Sequence, residues 1–132
     1  MSKTNKNKQT NKLIKTNNVL ILINIIMQSI NQLYEYLKTT DVEKLGGRLD
    51  PSRGMPNMRY IFNNGNGKFD TLSIMSSWGG GSGYETILKK GQDCVYVSEL
   101  DYDDVCYFET VQEVEQEIKR LLSILNTENQ PH

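Results

Sequence analysis

Apolar residues recur every three or four positions near both ends of this chain and every second position between them, and that change of period limits the fold more than any other feature. Val19, Ile23, Ile26, Ile30, Leu33 and Leu37 form the seam of one amphipathic helix, widened by Leu20, Met27 and Tyr34, which predicts a helix over about 18–38. Val111, Val114, Ile118, Leu121 and Leu125 repeat the pattern at the other end. There Thr110 and Glu113 have the spacing of a capping box, in which the threonine accepts from the third helical amide and the glutamate reaches back to the cap's own N–H. Between the helices, Met58, Tyr60 and Phe62 alternate with Arg59, Ile61 and Asn63, as a half-buried strand does.

The punctuation fits the same division. Asn63-Asn64-Gly65-Asn66-Gly67 predicts a hairpin whose Asn-Gly pairs accept positive φ. Further strands are expected over 68–76, 84–89, 94–99 and 105–108, with a turn at Lys90-Gly91-Gln92-Asp93. Thr39, Thr40 and Asp41 would cap a short second turn of helix, stopped by Gly46 and Gly47. Residues 46–57, with three glycines and two prolines, read as a loop. The expected fold is α+β: a four- or five-stranded antiparallel sheet with N- and C-terminal amphipathic helices packed on one face. Residues 1–16 read as a disordered basic tail, 17–126 as a single domain and 127–132 as a frayed end. Ile26, Ile30, Leu33, Ile118, Leu121 and Leu125 are expected in the core.

The lysine-rich start followed by VLILINIIM also has the look of a secretory signal or anchor. Asn24 interrupts the apolar run, no small-x-small cleavage site follows, and polar residues return after nine positions, short of the roughly 20 a spanning helix needs. The seam favours a core or partner-facing helix, which would also serve a homodimer. Met27 as the true start is a further reading.

Charge is distributed unevenly along the chain. Residues 1–30 hold five lysines and no acid, whereas ten acids face only Lys119 and Arg120 after residue 90, although the whole chain is at −1. A basic arm and an acidic carboxyl third imply separate electrostatic faces. The chain has no alanine and 35 Asn, Lys and Ile residues together, which points to a gene of low GC content.

Catalytic chemistry has little to work with. The sole histidine is the terminal His132, so histidine triads and clustered-histidine zinc sites are not expected. Cys94 and Cys106 match no zinc spacing and are expected as free, buried thiols in a reducing, cytoplasmic setting. Trp78-Gly79-Gly80-Gly81-Ser82-Gly83-Tyr84 lacks the lysine of a phosphate loop and precedes a strand rather than a helix. Its flanking aromatics, Trp78 and Tyr84, suit a strand connection or a protein-binding anchor. Glu99, Asp101 and Asp103 alternate along an acidic run that includes Tyr102 and Asp104. Calcium-loop spacing fails there, since the twelfth position from Asp101 is Gln112. An acidic docking surface enlarged by Glu109, Glu113, Glu115 and Glu117, with Tyr102 and Tyr107 supplying contact area, is the functional reading, and a solvated turn the plain one. No catalytic residue, metal or cofactor is expected.

The stretch from Tyr60 onward, with its FNNGNG turn, its WGGGSGYE connection and its closing YFETVQEVEQEIKRLL helix, resembles small α+β proteins encoded by phages and prophages of low-GC bacteria. The resemblance covers about half the chain. It implies a class and no site residue: such accessory proteins bind and block or redirect a host protein, defence nucleases included, as anti-CRISPR proteins do. The expectation is therefore a non-enzymatic protein-binding module, an inhibitor or adaptor acting through its acidic surface on a basic protein partner, without membrane attachment. A nucleic-acid-associated protein using the lysine arm is the alternative, and a small carboxylate or metal enzyme a third.

Overall fold

A computed structural model describes residues 18–19, 29–51, 57–76, 83–97 and 105–128. Residues 18–19 and 29–38 are helical, the latter forming α1. Six strands follow: β1 (Gly47–Pro51), β2 (Asn57–Phe62), β3 (Thr71–Ser76), β4 (Tyr84–Lys90), β5 (Asp93–Cys94) and β6 (Cys106–Phe108). The last element is α2 (Val111–Glu128). The fold is α+β, with an antiparallel sheet in the order β1-β2-β3-β4 and with β5 and β6 both paired to the outer edge of β4.

Alternation decides which face of the sheet is buried. Met58, Tyr60 and Phe62 point inward, and the register brings Leu72 and Ile74 of β3 beside Tyr60 and Met58, then Leu88 beside Leu72. Both helices cover this face. Ile30, Leu33 and Leu37 of α1 and Val114, Ile118, Leu121 and Leu125 of α2 belong to the same buried cluster. Each such aliphatic side chain contributes roughly 1.5–3 kcal/mol by leaving water. The seam's first member behaves differently, because Val19 is 57% exposed. Ile23 and Ile26 lie outside the described residues. Ile30, Leu33 and Leu37 are thus covered by their own domain.

Several local expectations are corrected. The presumed loop 46–57 contains β1, whose Gly47 and Leu49 are buried opposite Phe62 and Tyr60. As an edge strand it is shielded: Leu49 N–H donates to the Glu43 carboxylate at 3.2 Å, and Pro51 has no N–H to offer. The short second helix is a set of turns in which Leu45 N–H reaches the Asp41 carbonyl at 3.1 Å. The hairpin between β2 and β3 forms, but neither Gly65 nor Gly67 takes a positive φ in it. Asn66 Oδ1 instead accepts from the Lys68 and Phe69 amides at 2.7 and 3.2 Å. Gly65 is small because a Cβ there would lie 2.7 Å from Asp70 Cβ. Positive φ appears at Gly91 (60°), first residue of the two-residue turn joining β4 and β5.

The strand expected over 94–99 is also shorter: β5 ends at Cys94, and Val95 N–H adds one bond to the Leu88 carbonyl. The chain rejoins the same edge at Cys106, opposite Thr86. Only Ile87 of β4 separates those two positions, so the two pairing points lie about 7 Å apart along the strand. Cys94 is exposed and Cys106 half-buried, both as free thiols, against the expectation of two buried ones. No helix among the described residues is long and apolar enough to cross a membrane. The expected tail 1–16 and the end 129–132 lie outside the described residues, while α2 continues through Thr127 and Glu128.

Candidate functional site

The start of α2 fixes the position of its acidic side chains. Thr110 Oγ1 accepts from Glu113 N–H at 3.1 Å, as a capping threonine should. The reciprocal bond is displaced by one residue, because Glu113 Oε2 accepts from the Glu109 amide at 3.1 Å rather than from Thr110. With the helix held this way, Gln112, Glu113, Gln116, Glu117 and Arg120 form a stripe along one flank. Together with Phe108 of β6 they line a shallow, largely apolar groove of about 370 Å³. Glu113 and Glu117 stand one helical turn apart on it. Arg120 donates to Glu117 Oε1 from both Nε and a terminal nitrogen at 2.7 Å.

Glu115 faces the other way. Its Oε1 accepts from Tyr36 Oη at 2.6 Å and its Oε2 pairs with Lys119 at 3.0 Å, while Lys119 also reaches Asp41 at 3.1 Å. The Tyr36 hydroxyl above all holds the Glu115 carboxyl below its ordinary range; burial opposes this, and the Lys119 ammonium adds to the lowering. This cluster fastens α1 to α2 and takes Glu115 out of any docking surface. Because the folded-state pKa is depressed, its stabilisation is present above the unfolded value of about 4.3 and is lost as pH falls through the folded value. Tyr36→Phe should therefore lower Tm at neutral pH, with the deficit shrinking below about pH 4. A deficit that stays constant from neutral to strongly acidic pH in thermal melts would refute that role for the bond.

Of the expected partner-binding residues, the structure brings Glu113 and Glu117 into one groove. Tyr84 is not a surface anchor: it is 5% exposed, its hydroxyl donates to the Ser29 carbonyl at 3.0 Å, and burial raises its pKa. Trp78, Glu99, Asp101, Tyr102, Asp103 and Asp104 lie outside the described residues. Near that acidic segment in sequence three apolar residues are exposed, Tyr96 at 65%, Val105 at 49% and Tyr107 at 50%, whereas Val97 is buried in the core. Tyr107 pairs with Glu85 on the sheet face away from the helices and lies against Gly83. Tyr96, Phe108, Gln112 and Gln116 were not among the sequence candidates. The i, i+4 repeat of Gln112/Gln116 beside Glu113/Glu117 was the available signal.

Among the described residues no three His, Cys, Asp or Glu side chains converge as metal ligands would. What the arrangement can do is present apolar contact area beside carboxylates. Comparison of the chain with family models, curated proteins and solved structures gives no match.

Proposed function

We propose that this chain is a non-enzymatic protein-binding module, an inhibitor or adaptor of mobile-element type that docks a basic surface of a host protein. One observation carries the reading. Among the described residues five large hydrophobic side chains are exposed, and three of them, Tyr96, Val105 and Tyr107, lie close in sequence to the acidic segment 99–104. Aromatic contact area bordered by carboxylates is what an interface with a basic partner uses, the charge speeding encounter and excluding wrong orientations. The Phe108 groove with Glu113 and Glu117 lies on the helix side of the same edge strand.

The test starts with capture of a partner from a low-GC bacterial lysate, followed by association kinetics against the purified partner. Reversing Asp101, Asp103 and Asp104 to lysine should slow association by about tenfold or more and flatten its dependence on salt. Tm should move little, since a docking surface is exposed to water and exposed charges contribute little to stability. An unchanged association rate and salt slope would reject the acidic segment as the docking surface.

A further inference from the structure

We propose that β1, at the other edge of the sheet, is a pairing site for β1 of a second copy of this chain, held shut by the Glu43 carboxylate. Register sorts the main-chain groups of the strand. Phe62 N–H reaches the Asp70 carbonyl, so Phe62, and by alternation Tyr60 and Met58, turn their main chain toward β3. Ile61 and Arg59 turn theirs toward β1, where Arg48 and Asp50 face them. Gly47, Leu49 and Pro51 therefore direct their main-chain groups away from the sheet. Proline has no N–H, which leaves Gly47 and Leu49 as the outward donors. Glu43 Oε2 accepts from the Leu49 amide at 3.2 Å, and Lys38 holds the other carboxylate oxygen at 2.9 Å.

The strand is self-complementary about Leu49. In the antiparallel register that overlaps all 5 residues, each Leu49 exchanges both of its main-chain bonds with its counterpart, and each Gly47 donates to the opposite Pro51 carbonyl. Arg48 then stands directly opposite Asp50 of the second copy, and Asp50 opposite its Arg48, on the sheet face away from the helices. This charge complementarity is what selects a second copy as the occupant. Asp50 is already oriented for it by its bond from Arg59. An uncovered edge accepts further strands, and a carboxylate on its central donor prevents that. The Glu43 side chain is 34% exposed and belongs to the turns after α1, so it can swing aside without breaking a strand or helix. β1 lies at the edge opposite the one that β6 joins, so this pairing is independent of the proposed docking surface.

Sedimentation equilibrium on the full-length chain tests it. Glu43→Ala should tighten self-association about tenfold or more over the parent, because the Leu49 amide loses a charge-assisted bond that pairing would otherwise have to break. In that background Arg48→Glu alone, or Asp50→Lys alone, should abolish the gain, since each sets like charges opposite one another. Mixed together, the two charge variants should associate with each other about as tightly as Glu43→Ala does with itself, because every facing pair is again of opposite sign. If circular dichroism shows that Glu43→Ala does not fold, Lys38→Met, which unfastens the carboxylate and leaves it in place, takes its position in the same series, with a tightening of about threefold expected. Self-association no tighter than the parent's, a gain that survives either charge reversal, or a mixture that does not associate overturns the proposal.

Discussion

Leu33→Ala lowers the stability of the domain by about 2–5 kcal/mol, while Val19→Ala on the same seam changes it by no more than about 0.5 kcal/mol. Leu33 is fully buried in the core cluster that the sheet and both helices share, so truncation forfeits its transfer free energy and leaves a cavity that its surroundings close only in part. Val19 is more than half exposed and loses little. For a domain whose total stability is of order 5–15 kcal/mol, the first change removes a large share of it. Urea unfolding checks the pair through the midpoint at constant slope. A Leu33→Ala cost below about 1 kcal/mol, or a Val19→Ala cost as large as that of Leu33→Ala, would mean that the seam is not buried where the structure buries it.

The elements that could be recognised in the sequence are those whose patterns repeat enough times to exclude the alternatives. Five seam positions from Val111 to Leu125 fit only a helix, and the alternation from Met58 to Phe62 fits only a strand. β1 was hidden because its five residues begin with a glycine and end with a proline, both of which argue locally for a loop. Its identity as a strand comes from tertiary pairing, Gly47 to Phe62 and Leu49 to Tyr60, which no local pattern encodes. In the Asn-Gly hairpin the element was legible and its mechanism was not. An asparagine side chain satisfies two amides there, and neither glycine takes the positive φ expected from composition.

The candidate site divides in the same way. The excess of acid after residue 90 was legible as charge, but charge alone does not say which carboxylates are committed inside the fold. Glu115 lies in the same helix as Glu113 and Glu117 and is indistinguishable from them in sequence, yet it fastens α2 to Tyr36, a residue 79 positions away. Tyr84 looked like an anchor because it borders a glycine-rich stretch. Its partner Ser76 on β3 turns it inward, where its hydroxyl finds the Ser29 carbonyl. Phe108 and Gln112 become a groove only when β6 and α2 are set side by side, a contact fixed by the short Glu109-Thr110 connection and its capping bonds.

Gly47→Ala is the second substitution with a large expected effect, a loss of about 1–3 kcal/mol or more from a single methyl group. A Cβ at position 47 would sit 2.4 Å from Cε1, Cζ and the hydroxyl oxygen of Tyr60. That ring has nowhere to go. It is fully buried, its hydroxyl donates to the Val42 carbonyl at 2.6 Å, and it packs edge-on against Phe62 with centroids 5.0 Å apart. Relief requires β1 to shift, breaking its pairing with β2, or Tyr60 to give up its buried hydrogen bond. Gly83→Ala supplies the control: its Cβ would meet the Tyr107 hydroxyl at 2.3 Å, but that is the far end of a half-exposed side chain on the opposite face, where rotation costs little. In a double-mutant cycle by chemical unfolding, Gly47→Ala with Tyr60→Leu should be less destabilised than the sum of the single changes by about 1 kcal/mol or more, because the leucine vacates the space the methyl needs. Additive behaviour would place the cost of Gly47→Ala in the backbone of β1 rather than in the tyrosine packed against it.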